Sequence, residues 1–271
     1  MARIKIPESQ ARARRRKRGL LRLSLASLGM LAAAGGCVYL AWQPFARIGA
    51  VSVAGAAGVA TSTLEQFVRN DLAGVYAGVF PRDSALIYSS GRVAQDMRVA
   101  FPSLRSVSVS RSGFTGFSVE VSDRQPVALW CGSSTDAPEP CLYLDESGLA
   151  YGQAPVFSGV NPYPTYYGTL GGEDLPRQFL TREMFRALVA LLSAMGQDTG
   201  TFASVLVDTD GDVTARFSSG IIVRFVLADD AATVLKHFTL ALESEPFSSH
   251  ALADFEYLDL SFGERLYYKL Q

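Results

Sequence analysis

The chain has 271 residues, 48% of them apolar, and sets 25 Lys and Arg against 26 Asp and Glu for a formal charge of −1. That apolar content, with Gly and Pro in the ordinary range, excludes global disorder and collagen-like repeats, and three cysteines are too few for a disulfide-built scaffold. The near-neutral sum hides a split. Residues 1–22 carry nine basic side chains (Arg3, Lys5, Arg12, Arg14, Arg15, Arg16, Lys17, Arg18, Arg22) against Glu8, a charge of +8, while the other 249 residues hold 16 basic and 25 acidic groups, a charge of −9. The acidic body argues against nucleic acid as a partner.

Between the two charges, Leu23 to Trp42 contains no charged residue, and Ser24 and Ser27 are its plainly polar side chains. Twenty residues at about 1.5 Å each make roughly 30 Å of helix, the thickness of a bilayer core. Tyr39 and Trp42 occupy the position of an interfacial aromatic belt, and Pro44 ends the helix. A cleaved signal peptide would have a shorter apolar region. Ala34-Gly35-Gly36-Cys37 resembles a lipidation box, but the apolar run continues through Val38, Tyr39, Leu40 and Ala41. The expectation is therefore a basic cytoplasmic tail over 1–22 and an uncleaved transmembrane helix over 23–43. The basic cluster keeps the N-terminus cytoplasmic and meets anionic lipid, which places the rest outside the cytoplasm.

A first unit is expected over 45–126. Ile48, Val51 and Val53 alternate as a strand ended by Ala54-Gly55. Ser62 and Glu65 read as a capping box ahead of Leu64, Phe67, Val68 and Leu72, with Gly74 as the stop. Val93, Met97 and Phe101 mark a second helix halted by Pro102. Val107 and Val109, then Phe117, Val119 and Val121, predict two strands joined by a turn at 112–116. The order β-α-α-β-β implies a half-buried sheet with two helices on one face.

The second unit, over 127–271, is richer in strands. Val127–Cys131 and Cys141–Leu144 flank a turn-rich loop, and residues 161–176, with three Gly and three Pro, predict another loop. Thr181 caps a helix whose apolar face is Met184, Leu188, Leu191, Leu192 and Met195, stopped by Gly196. Strands follow at Ser204–Val207, Val213–Phe217 and Ile221–Leu227, then a helix capped by Asp229 with Val234, Leu235, Phe238 and Leu242 inward. Phe255–Leu260 and the alternating Leu266, Tyr268 and Leu270 close the chain. The fold class is α+β: a transmembrane helix, a small α/β unit, and a mixed, mostly antiparallel β domain with two helices.

In order and spacing these segments resemble the FtsQ/DivIB bitopic cell-division proteins. Residues 48–55, IGAVSVAG, resemble the family's first strand, and 101–109, FPSLRSVSV, its helix-to-strand step. Asp123-Arg124-Gln125-Pro126-Val127-Ala128-Leu129-Trp130 is similar to its E-R-x-P-V-A-x-W junction, 144–148 to the turn after it, and Leu258-Asp259-Leu260-Ser261-Phe262 to its closing D-L-R-Y/F. Ser261 stands where the family has Arg, and the 131–141 hairpin and the Tyr/Pro-rich loop 161–168 are additions. The resemblance implies a POTRA domain at 45–126 and a β domain with an open C-terminal edge strand. It further implies a non-catalytic scaffold at the division septum of the inner membrane, binding FtsB- or DivIC-like and FtsL-like partners by β-strand addition. An envelope assembly or secretion factor with a POTRA unit is the alternative.

Edge strands carry unpaired N–H and C=O groups, so the segment Glu264–Gln271 is the candidate site, with Leu258, Asp259, Ser261, Phe262, Leu266, Tyr267 and Tyr268 as partner-binding residues. Its competing reading is an ordinary edge blunted by Lys269. Cys131 and Cys141 flank a hairpin and are open to two readings, a disulfide or a pair of half-buried thiols. No metal, nucleotide or dinucleotide motif occurs, and His237 and His250 are the two histidines, so no cofactor and no enzyme activity are expected. Asp208-Thr209-Asp210-Gly211-Asp212 resembles the start of a calcium loop but reads as a hairpin turn.

Overall fold

The computed structural model describes residues 10–85, 88–113, 115–136, 139–159 and 161–271, the first nine of these by backbone alone. Arg3, Lys5 and Glu8 of the expected tail lie outside the described residues. Helix α1 (Gln10–Ala41) begins well before Leu23 and runs through the Arg-rich segment. Ala, Arg, Lys and Leu are all good helix formers, and propagation adds one backbone bond for each residue fixed, so the apolar span and its basic flank share one helix. Gly19–Ala41, 23 residues, is long and apolar enough to cross a membrane, and its side chains are exposed apart from half-buried Val38 and buried Ala41 at its C-terminal end. The hydroxyls of Ser24 and Ser27 donate back to the carbonyls of Leu21 and Ser24, both at 2.9 Å. Polar groups inside lipid require such internal partners. Pro44 opens a short 3-10 turn (Pro44–Ala46) beyond the helix.

The chain divides into two compact units, Met1–Ala100 with Ser106–Ser122, and Phe101–Arg105 with Asp123–Gln271. The boundary precedes the expected Pro126 because Arg124 is tied to 101–105. Its backbone N–H donates to the Ser103 carbonyl at 2.8 Å and its Nε to the Pro102 carbonyl at 3.0 Å.

Beyond α1 the first unit contains β1 (Ala50–Ala54), α2 (Thr61–Asp71), β2 (Val75–Tyr76), β3 (Phe80–Pro81), α3 (Ser90–Ala100), β4 (Leu104–Ser112) and β5 (Gly116–Asp123). The sheet order is β1-β5-β4, with β1 parallel to β5 in the register Val51↔Phe117 and Val53↔Val119. Leu64, Val68, Val93, Met97, Phe117 and Val119 form its buried interior. The expected Ser62–Glu65 capping box is not formed. Helix α2 starts at Thr61 with Ala60 as N-cap and no side-chain cap. Burial of Leu64 and Val68 holds that end instead. The β2–β3 hairpin was not expected, because two-residue strands leave no alternation to read.

The second unit contains β6 (Ala128–Trp130), β7 (Leu142–Leu144), β8 (Leu149–Gln153), β9 (Thr165–Gly168), β10 (Arg177–Gln178), α4 (Arg182–Thr199), β11 (Phe202–Val207), β12 (Asp212–Phe217), β13 (Ile222–Val226), α5 (Ala231–Glu243), β14 (Phe255–Phe262) and β15 (Arg265–Leu270). All the strands join one mixed sheet in the order β10-β8-β7-β6-β9-β11-β12-β13-β14-β15. Strand β9 is parallel to both its neighbours and β13 is parallel to β14. Alternate residues Val205, Val207, Val213, Ala215, Val223 and Phe225 point into one core with Leu188, Leu192, Met195, Val234 and Phe238 of the helices.

Four sequence readings need correcting here. Residues 161–176 are not all loop. Strand β9 is the sheet's central splice, and its Tyr166 is fully buried. On α4 the inward residue of the first turn is Phe185, whereas Met184 is exposed. The same helix passes Gly196 and ends at Thr199, ahead of Gly200 with φ +81°. Finally, α5 is capped by Asp230, whose carboxylate accepts the Thr233 N–H at 2.9 Å, rather than by Asp229. Thr181 does cap α4, accepting from the Met184 N–H at 3.3 Å.

Candidate functional site

The β14–β15 hairpin carries the candidate site. Gly263, with φ +64°, supplies the positive φ that the turn requires. The register pairs Asp259 with Tyr267, Leu258 with Tyr268, and Tyr257 with Lys269. Strand β15 has β14 on one side, and among the described residues no strand pairs with its other side. In an antiparallel ribbon every second residue turns its N–H and C=O away from the partner strand. A row of unpaired backbone groups therefore faces outward along β15, able to accept one more strand.

Side chains divide between the two faces. Leu266 packs against the core, and Tyr268 leans on Phe247 and Phe255, with ring centroids 5.4 Å and 6.0 Å away. On the opposite face Tyr267 meets Phe262 edge-on at 5.0 Å. Phe262, Tyr267 and Tyr268 remain 58%, 47% and 44% exposed, so they offer apolar area along the open edge. Such rings contribute contact area with few torsions to freeze.

The remaining predicted residues play other parts. Leu258 is fully buried and belongs to the core, so it supports the strand from beneath rather than touching a partner. Asp259 turns its carboxylate onto the Ser261 N–H at 3.0 Å, which shapes the irregularity between Asp259 and Phe262. Ser261 is half-buried within it. Lys269 pairs with Glu256 at 2.5 Å, and the hydrogen bond to that carboxylate, reinforced by its charge, raises the lysine pKa.

Phe247 and Glu256 were missed. Neither sits in a periodic apolar run, and Phe247 lies within the turn segment that follows α5, where no period can be read. Beside this edge lies a groove of about 270 Å³, lined by His237, Leu240, Phe247, Arg265 and Leu266 among others. A second cavity, of about 760 Å³, lies between residues 161–165, α4 and the start of β11. The run Thr165-Tyr166-Tyr167 between Pro164 and Gly168 carried the strand signal for this region.

Cys131 and Cys141 form a disulfide, with Cα atoms 4.2 Å apart, across the ends of the β6–β7 hairpin. That resolves the two readings of the pair. Asp208–Asp212 is a turn in which the Asp208 carboxylate accepts from the N–H groups of Asp210 and Asp212 at 2.9 and 2.8 Å. Among the described residues no group of three or more His, Cys, Asp or Glu side chains is placed to hold a metal ion. His250 donates from Nδ1 to the Pro246 carbonyl at 3.0 Å, a contact that holds the turn in place. No protein-family model matches this chain, and no curated protein matches it.

Proposed function

We propose that the chain is a membrane-anchored scaffold of the bacterial division machinery, of the FtsQ/DivIB kind. In this reading α1 is a single-pass anchor with its N-terminus in the cytoplasm, and the first unit beyond it serves as a POTRA module. The second unit is the β domain, which binds FtsB/DivIC-like and FtsL-like partners outside the cytoplasm. Septal cell-wall synthesis is controlled through those contacts, by binding and without a catalytic step or cofactor. The observation that carries the reading is the open side of β15, flanked by exposed Phe262, Tyr267 and Tyr268 at the end of a ten-stranded sheet.

The test is retention of a purified FtsB-like partner on the full-length protein in detergent. Deleting residues 264–271 is expected to weaken retention at least about tenfold, equivalent to about 1.4 kcal/mol. The double substitution Phe262→Ala and Tyr267→Ala, at exposed positions that leave the core intact, should weaken it in the same direction. Unchanged retention in both overturns the proposal. A fluorescent fusion should mark a band at mid-cell. Uniform envelope signal with secretion defects would favour a polypeptide-handling assembly factor instead.

A further inference from the structure

The anchor helix is not joined to the first unit by a free linker. The Trp42 indole Nε1 donates to the Val79 carbonyl at 2.8 Å, at the tip of the β2–β3 hairpin. The Ile48 N–H donates to the Asp83 carbonyl and the Ala85 N–H to the Ala46 carbonyl, both at 2.7 Å, and Arg47 pairs with Asp83 at 2.7 Å. Residues 42–48 are thus stitched to the hairpin and to the strand end after it. The hairpin keeps the depth of the helix exit.

That depth follows from length. The 23 residues Gly19–Ala41 span about 34 Å, slightly more than the hydrocarbon core of about 30 Å, which puts Trp42 at the headgroup level where indoles concentrate. Val79 touches that indole, so it lies at the same level. Past Ala41, the large apolar side chains exposed among the described residues of this unit are Trp42, Phe45, Val75, Val79 and Val99, and all but Val99 belong to this end. Ala77 and Gly78 at the tip both have positive φ, +48° and +72°, which folds the turn tightly and leaves Val79 outward. Arg47 and Arg69 share the cleft beside Gly74 and Asp83, and Arg82 lies over the Tyr76 ring at 5.2 Å. Cationic groups beside an apolar tip suit anionic headgroups.

We infer that the β2–β3 hairpin is a second membrane contact: Val75 and Val79 enter the outer interface beside Trp42 and Phe45, and lipid covers that patch. This rests on α1 being the anchor. With the hairpin seated in the interface, the first unit is held at a set angle to the membrane instead of pivoting on its helix.

The experiment uses full-length protein in phosphatidylethanolamine/phosphatidylglycerol vesicles containing nitroxide lipids, in a Cys37→Ser background with the native disulfide left oxidised. Single cysteines at Val79, Val75, Met30 and Ser62 carry an environment-sensitive fluorophore. Met30 reports the span. Ser62 lies near the far end of α2, about 13 Å along the helix from Asp71, and serves as the aqueous reference.

Headgroup-level nitroxide should quench the Val79 and Val75 probes at least about twofold more than the Ser62 probe, with the Met30 probe quenched by deep nitroxide. Quenching at Met30 with Val79 and Val75 no different from Ser62 overturns the hairpin contact and leaves the anchor standing. Shielding of Val79 from an aqueous quencher without quenching by lipid nitroxide means that protein covers the tip, and overturns it as well. No quenching at Met30 overturns the anchor itself.

Discussion

Gly55 closes β1 with φ +95°, and a Cβ there would stand 2.1 Å from the Val121 carbonyl oxygen. Backbone cannot yield as a flexible side chain does, so Gly55→Ala combines left-handed strain with a forced separation of β1 from β5. We expect a loss of about 2–4 kcal/mol in chemical denaturation of the first unit. Asp145 is the charged counterpart in the second unit. Burial alone would raise its pKa. The Ser147 hydroxyl at 2.6 Å, the N–H groups of Ser147 and Leu149, and Arg124 outweigh that and hold it below the usual carboxylate range. The folded pKa is depressed, so this group's stabilisation is present above the unfolded value of about 3.9 and is lost as pH falls through the folded one. Asp145→Asn should therefore cost about 3 kcal/mol at neutral pH and show a shallower acid limb below about pH 4 in a denaturation series. Asp145 was legible as a turn residue, since Asp-Glu-Ser-Gly punctuates the chain. Its role as the partner of Arg124, 21 positions away, was not.

Helix α4 shows why element facing can fail by one residue. Met184, Leu188, Leu191, Leu192 and Met195 fit a helical stripe, but so does Phe185 with Leu188 and Leu192, because a core-facing stripe is wide enough for both. Two distant residues settle the choice. The Phe185 ring lies 5.3 Å from that of Tyr166 in β9, and a Cβ at Gly148 would come within 2.8 Å of it, so the glycine makes room for the ring. Phe185→Ala is expected to cost about 3–5 kcal/mol and Met184→Ala less than about 1 kcal/mol, measured by urea denaturation. Strand β9 was missed for a related reason. It is paired on both edges but only four residues long, with Tyr166 and Gly168 buried on one face and Thr165 and Tyr167 half-buried on the other. That offers too few positions for an alternation to be read, and flanking prolines and glycines read as loop. Strands β11 to β15, with one solvated face, announced themselves by alternation. The candidate edge was therefore legible from Leu266, Tyr268 and Leu270, whereas burial of Leu258 became clear only once β14 had neighbours on both sides.

At the scale of the whole molecule the formal charge of −1 is the sum of a tail of +8 over residues 1–22 and a body of −9. On the proposed topology, replacing Arg14, Arg15, Arg16, Lys17 and Arg18 by Gln removes most of the positive-inside bias. With the native tail, protease added outside spheroplasts should digest the body completely. The Gln variant should leave a protected fraction, read by blotting a C-terminal tag. By itself the sequence determined the apolar span, its basic flank, the α+β class and the alternating strands of the C-terminal half. All of these are encoded within windows of about 5–20 residues, where hydrophobic period and charge act locally. Only the tertiary structure decided that β9 splices the sheet, that Phe185 and not Met184 faces the core, that Cys131 and Cys141 are bridged, and that the hairpin at Val79 is bound to Trp42. Each depends on which distant residues become neighbours, because burial and hydrogen bonding are properties of a packed environment rather than of a stretch of chain.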